Sequence, residues 1–333
     1  MADSALSEQD SALQNDNFRS MPTPDAKPGA VTGPATLIVN ARARTGQQAF
    51  EQTRNCLKAN GITLRDECAL EDPSKLSQVV RGHLHSGAKR ILIGGGDGTL
   101  RTVAGLLTNT DATMGVIPLG TVNDFARNLG IEPTVEAACK VIAGGNSAAV
   151  DIGQANDDFF IITASLGFSA QSQLSLKPNL KKIFGPFGYF VASLLALRQL
   201  RDLKVTVRRA DGGETEGDEC VDAVQVGVIK GHYWMGGKVE VPNVDLTTDC
   251  FAFYAVPARR HRSFISMARH LRHGDFFHMP GLRAFPTADV TLETPTPQPL
   301  VLDGDLCGQT PVRLRVLCNA LRVFVPADFS KAK

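Results

Sequence analysis

A cluster of glycines that closes one apolar run and opens another constrains this chain more than any other stretch. It reads Arg90-Ile-Leu-Ile-Gly-Gly-Gly-Asp-Gly-Thr99, and Leu100-Arg-Thr-Val-Ala-Gly-Leu-Leu107 follows. Ile91 to Ile93 suit a buried strand of a parallel sheet. Leu100, Val103, Leu106 and Leu107 share one face of a helix. Strand, glycine turn and helix start together make an anion site. Glycines let the backbone approach a phosphate, and free N–H groups of the first helical turn point at it. Asp97 sits among those donors. A carboxylate facing a phosphate is repulsive unless a metal ion or a proton mediates, so Asp97 points to phosphoryl transfer rather than anion storage. The Gly-Lys-Ser/Thr ending of a P-loop is missing, and Thr99 stands where a dinucleotide fingerprint has its third glycine. A plain packed turn would rarely need so many glycines, since each costs about 0.5–1 kcal/mol relative to alanine inside regular structure.

Around this turn the chain alternates strands and helices. Ala35 to Val39 reads as the first buried strand, and Asn40-Ala-Arg-Ala-Arg-Thr-Gly46 as a polar turn. A helix over Gln47–Asn60 ends at Gly61 as its C-cap. A second strand lies near Ile62–Leu64, a second helix near Lys75–Ser86, and a fourth strand at Met114–Pro118. The alternation predicts a doubly wound parallel α/β sheet over residues 35–150, with ligands beyond the carboxyl ends of its strands. The Asn40 turn and the Gly94–Thr99 turn both fall there. From 151 to 319 the stretches are strand-like: Phe159–Ala164, Lys204–Arg209, Ala223–Ile229, Cys250–Val256, Asp289–Glu293, Leu300–Asp303 and Val312–Val316, with Arg322–Val325 beyond them. They predict an antiparallel, β-rich second domain with helical inserts around Leu180–Leu200 and Arg260–His273. The segment near 320–333 is free to return to the first domain. Residues 1–34, rich in Ser, Asp, Asn, Gln, Pro and Gly, read as a disordered tail without an export signal.

Of the 333 residues, 35 are basic and 34 acidic, a net charge of +1 that gives no pull toward nucleic acid. The seven cysteines include no Cys-x-x-Cys pair, which fits reduced thiols in a cytoplasmic protein. No run approaches the ~20 apolar residues that span a bilayer. Arg259-Arg-His-Arg262 and Arg269-His-Leu-Arg-His273 bracket Phe264, Ile265, Ala268 and Leu271. A basic helix with an apolar stripe is suited to peripheral contact with an anionic membrane surface. The sequence is compatible with a homodimer.

A second signature follows the fourth strand: Pro118-Leu-Gly-Thr-Val-Asn-Asp-Phe-Ala-Arg127. Asn123 or Asp124 can cap a helix beginning at Phe125. With both signatures in place, the chain resembles the diacylglycerol kinase catalytic-domain family over roughly residues 35–326. Relatives of sphingosine kinase are included in that family, and NAD kinases share its glycine motif. Further matches are Asp151-Ile-Gly153, Ser165-Leu-Gly-Phe-Ser-Ala170, Gly236-Gly-Lys238 through Pro242, and Asp303-Gly-Asp305.

The resemblance implies an NAD kinase-like α/β domain that binds ATP, joined to a C-terminal β-sandwich, with catalysis in the cleft between them. Carried over by motif, ATP contacts come from Asn40, Ala41, Arg42, Ala43 and Arg44, from Gly95, Gly96, Asp97, Gly98, Thr99, Leu100 and Arg101, and from Thr121. Asp305 is the implied proton acceptor for a lipid hydroxyl attacking the γ-phosphate. Asp97, Asp124 and Asp151 are the implied acidic group organising Mg²⁺. A separate structural Mg²⁺ is implied at the Asp249 carboxylate and the main-chain oxygens of Leu246 and Phe251. Ala41, Arg101, Cys250 and Asp305 stand where the family usually has Pro, Asn, Gly and Glu. Lys181 to Leu200, basic and aromatic at its start, is implied beside the lipid. The readings left open are an NAD kinase and a catalytically silent nucleotide- or lipid-binding regulator.

Overall fold

Four strands make the sheet of the first half. Strands β1 (Ala35–Asn40), β2 (Leu64–Leu70), β3 (Arg90–Gly95) and β4 (Thr113–Pro118) pair in parallel in the order β2-β1-β3-β4. β3 and β4 are buried at every position, as expected for central strands covered on both faces. β2, at the edge, buries only Leu70 fully. Helices α1 (Gly46–Ala59), α2 (Leu76–His85) and α3 (Asp97–Leu107) make the crossovers between successive strands, and α2 packs beside α3. Two further helices, α4 (Asp124–Asn128) and α5 (Val135–Gly144), follow β4. The computed structural model describes residues 31–41, 46–168, 170, 202–210, 218–241, 243–258 and 261–329, with 261–265 as backbone. Arg42, Ala43, Arg44, Lys181–Leu200, Arg259, Arg260 and most of the expected N-terminal tail lie outside the described residues.

The second half is a β-sandwich. Its strands are β5 (Ser147–Ala155), β6 (Asp158–Phe160), β7 (Thr163–Gly167), β8 (Leu203–Arg209), β9 (Glu219–Ile229), β10 (Tyr233–Trp234), β11 (Gly237–Lys238), β12 (Phe251–Pro257), β13 (Arg283–Thr287), β14 (Asp289–Glu293), β15 (Pro299–Leu302), β16 (Asp305–Gln309) and β17 (Val312–Phe324). Helix α6 (His261–His273) lies between β12 and β13. Period-two alternation sorts the side chains of β12. Phe253 and Ala255 enter one core with Val205, Val228 and Leu314, whereas Tyr254 and Val256 enter another with Trp234, Met267 and Phe276.

The two halves share a ribbon. β17 pairs antiparallel with β14 through its first part and with β5 along its length, and its end also runs parallel to β4 at Arg322 and Val323. The sequence reads Val312–Val316 and Arg322–Val325 as separate strands. The structure makes them one strand with an irregularity between Leu317 and Leu321, where Asn319 takes a positive φ of 54°. The Asn319 N–H donates to Asp151 Oδ1 on β5 at 2.9 Å, so the irregularity is held by a side chain. The reverse holds for Phe159–Ala164. Read as one strand, it breaks after Phe160 because the Asp303 carboxylate takes the N–H groups of Ile161, Ile162 and Thr163 at 2.7–2.9 Å.

Candidate active site between the two halves

The carboxyl ends of β1, β3 and β4 meet at the glycine turn. Asn40 closes β1 and its Nδ2 donates to Thr99 Oγ1 at 3.1 Å, in the first turn of α3. Gly96 and Gly120 pass one another on bare backbone: a Cβ on Gly120 would lie 2.6 Å from the Gly96 Cα. A Cβ on Gly95 would meet Thr99 at 2.7 Å, and one on Gly94 would meet Leu119 and Val39 at 2.9 Å. The crowding therefore accounts for part of the glycine content that the sequence assigns to phosphate approach.

Asp97 joins the two signatures. Its carboxylate accepts the N–H groups of Asp124 (3.2 Å) and Phe125 (3.0 Å), the opening amides of α4. The sequence expects Asn123 or Asp124 to cap that helix; the cap comes instead from Asp97, across the turn. Asn123 folds its own loop, exchanging two bonds with the backbone of Gly120 (2.8 and 2.9 Å) in a left-handed conformation, φ 56°. Thr121 stands exposed beside it.

Asp124 and Asn128 dock α4 onto the second half. Asp124 Oδ1 accepts the Gly236 N–H at 3.0 Å. Asn128 Oδ1 accepts the N–H groups of His232 (2.6 Å) and Tyr233 (2.9 Å), and its Nδ2 donates to the Tyr233 carbonyl. A Cβ on Gly231 would fall 2.3 Å from Asn128 Oδ1, so a close approach of backbone to side chain requires that glycine. Burial pushes the Asp124 carboxyl up to about 6; the Asp97 charge adds to this and the Gly236 N–H opposes it.

Asp305 reaches the same place from the other side. It opens β16 after a two-residue turn, Asp303 (φ 47°) and Gly304 (φ 90°), of the kind that reverses a hairpin. Its Oδ2 lies 3.3 Å from Arg101 Nη2 on α3, and a Cβ on Gly98 would come within 2.9 Å of the same oxygen. Asp303 holds this hairpin by its three bonds to residues 161–163. Its carboxyl is pushed up to about 6 by burial, against the pull of those N–H groups. The Asp303-Gly-Asp305 motif is visible in the sequence, but the anchoring role of its first residue is not. Nor does the sequence mark Asn128, whose partners in the second half lie more than a hundred positions away.

The expected acidic group is only partly assembled. Asp97 and Asp124 adjoin, but Asp151 lies with other partners. It is 1% exposed, pairs with the Lys230 ammonium at 2.8 Å, and shares a cluster with Asp249 and Cys318 whose ligand atoms lie within 4.8 Å of one another. The expected cage for a structural Mg²⁺ also differs. Leu246 O accepts the Asp151 N–H at 2.8 Å, and Phe251 begins β12 opposite Thr287. The two carbonyls that face a cation are those of Thr248 and Cys250, and the cation is Lys230 Nζ. A divalent ion at Asp249 would therefore stand beside a buried ammonium that already holds the neighbouring oxygens, which does not fit the site the resemblance implies.

The fold is thus a two-part architecture, an α/β half whose glycine turn is faced by a carboxylate from a β-sandwich. Comparison with known proteins agrees. Residues 34–155 match the diacylglycerol kinase catalytic domain, and residues 163–325 match the YegS C-terminal NAD kinase beta sandwich-like domain. The chain belongs to the diacylglycerol kinase catalytic-domain family. It is 28% identical over 240 residues to a diacylglycerol kinase of Staphylococcus carnosus, covering 72% of this chain and 77% of that one. It is 28% identical over 252 residues to the "Probable lipid kinase YegS-like" of Pseudomonas putida, covering 75% and 81%. The crystal structure of a diacylglycerol kinase from Bacillus anthracis superposes with a TM-score of 0.71 at 22% identity, over 88% of this chain and 97% of that one. Among the described residues no helix is long and apolar enough to cross a membrane.

Proposed function

We propose that this protein is an ATP- and Mg²⁺-dependent lipid kinase that transfers the γ-phosphate to the hydroxyl of a diacylglycerol-like or sphingoid acceptor. The observation that carries the reading is the Asp305 carboxylate standing over the glycine turn at Gly98, from the opposite domain. The relatives named as lipid and diacylglycerol kinases support the acceptor class. Asn40, Gly95 to Arg101 and Thr121 line the donor side. Arg101 brings a guanidinium to the same turn, a charge suited to phosphate.

The residues present fit a magnesium-bound triphosphate. Each Asp97 oxygen accepts one N–H and keeps a lone pair, and Asp124 adds a second carboxylate nearby. When bound, the ion neutralises charge that develops on the phosphate oxygens. Asp305 takes the proton of the attacking hydroxyl. Arg101, an ion-pair partner of Asp305 in this structure, orients that carboxylate and offers charge to the transferring group. Docking of α4 through Asp124 and Asn128 ties the two domains together beside this site.

The lipid is met at a membrane surface. In α6 the apolar residues Met267 and Leu271 turn into the protein core, and Arg269, Arg272 and His273 are exposed. The described part of the helix thus presents charge, which favours electrostatic attachment to the anionic cytoplasmic face of a membrane over insertion. An acceptor screen with labelled ATP tests the proposal, using diacylglycerol, monoacylglycerol, sphingoid base, ceramide, phosphatidylglycerol and NAD. A labelled lipid phosphate is the expected product. Transfer to NAD alone makes the protein an NAD kinase, and nucleotide binding without any transfer makes it a silent regulator.

A further inference from the structure

Lys230 follows the end of β9 and is 1% exposed, among the largest fully buried side chains of the protein. A buried ammonium needs an oxygen for each of its three donors. Lys230 has three. Its Nζ bonds the carbonyl of Thr248, the carbonyl of Cys250 at 3.0 Å, and pairs with Asp151 Oδ2 at 2.8 Å. The last contact is an ion pair, and the other oxygen, Oδ1, receives the Asn319 N–H. Both carbonyls belong to the loop from Asn243 to Cys250, which also knots on itself. Asp245 Oδ1 accepts from the Thr247 N–H (2.6 Å) and hydroxyl (2.7 Å), and Thr248 Oγ1 accepts the Asp245 N–H (2.9 Å).

Two main-chain carbonyls and one carboxylate converging on a point are the oxygen set that a hard cation takes. Here the point is filled by nitrogen. A divalent ion bound to Asp151 and Asp249 would stand beside a buried positive charge, with a thiol, Cys318 Sγ, as its next neighbour. Magnesium takes a full shell of oxygens, and here the ammonium already holds the two carbonyls and the Asp151 carboxylate. We infer that Lys230 is the built-in cation of this loop: its ammonium does the work of a structural metal ion, and the loop is held on the β5–β17 ribbon without metal. The inference does not depend on the acceptor or on the phosphoryl-transfer reading, because it concerns a site that is not part of the cleft.

Thermal unfolding of the full chain without nucleotide tests it. Wild type is expected to show the same midpoint in EDTA and in millimolar magnesium. Lys230→Asn, too short to reach the carbonyls, is expected to unfold at a clearly lower temperature in EDTA and to regain stability in magnesium. Manganese relaxation of nucleotide-free wild type gives a second readout that does not need the variant to fold. No binding that depends on Asp249 is expected. A wild-type midpoint that falls in EDTA overturns the inference, as does manganese binding that is lost in Asp249→Asn. Lys230→Asn as stable as wild type in EDTA also overturns it. A fall that magnesium does not restore makes Lys230 an ordinary buried ion pair and likewise refutes the substitution for metal.

Discussion

Gly98 and Asp305 share one small space: the Asp305 Oδ2 lies 2.9 Å from where a side chain at residue 98 would begin. One residue is in the first turn of the helix after the glycine cluster, the other on a hairpin of the opposite domain. The absence of a side chain at 98 is what lets the carboxylate reach the turn.

Gly98→Ala is expected to displace that carboxylate while sparing the fold, because the atom in the way is the free end of a side chain. Misplacement on the scale of an ångström costs about 10²-fold in rate. Steady-state transfer to the best acceptor is expected to lose kcat by that order with an unchanged unfolding midpoint. A wild-type kcat would show that the position of Asp305 is not critical.

Asp305→Asn is expected to abolish transfer, because an amide cannot take the hydroxyl proton. Stability is expected to stay within about 1 kcal/mol, since the pair with Arg101 leaves Asp305 more than half exposed. Nucleotide binding measured by calorimetry should persist. Retained transfer would remove Asp305 from the mechanism.

Asp97→Asn removes one of the two acceptors at the opening of α4, with an expected cost of about 1–3 kcal/mol. Transfer is expected to be lost. Amides 124 and 125 are expected to exchange faster with solvent, which hydrogen exchange reads directly. Unchanged protection of those amides would show that Asp97 does not anchor the helix.

Asp124 and Asp303 are each pushed from 3.8 to about 6, by burial first. Between those values the folded chain binds protons that the unfolded chain has released. Their contribution to stability is therefore fully present below the unfolded pKa and is lost as pH rises through about 6. Carboxyl carbon NMR is expected to show two aspartates titrating near pH 6, one missing in Asp124→Asn and the other in Asp303→Asn. Titration of both near the ordinary 3.8 would refute the burial argument.

Changing Arg259, Arg260, Arg262 and Arg269 together to Gln is expected to weaken binding to anionic vesicles, by about 1 kcal/mol per charge that approaches the surface. Added salt should weaken wild-type binding in the same way. Vesicle binding unaffected by both would rule out attachment through this helix.

Local pattern decided much of this protein. The buried run Ile91–Ile93, the glycines after it and the apolar stripe of Leu100, Val103 and Leu107 were enough for strand, turn and helix. The same arithmetic placed α1 within a residue and α2 within a residue of their ends. Asn40, Asp97 and Asp305 each stand in a short motif, and the fold brings Asn40 to Thr99 and Asp305 to Gly98. What no short motif carries is pairing across distance. Arg101 meets Asp305 at a separation of 204 positions, Asp151 meets Asn319 at 168, and Asp97 caps a helix 27 positions on. A carboxylate in a sequence does not declare its partner. Asp151 reads like Asp124 until the fold buries it beside Lys230, and a lysine reads as a surface charge until two carbonyls close around it. Residue spacing along the chain sets which local elements form; only their docking sets which charges share a low-dielectric interior, and that decides the chemistry each one can do.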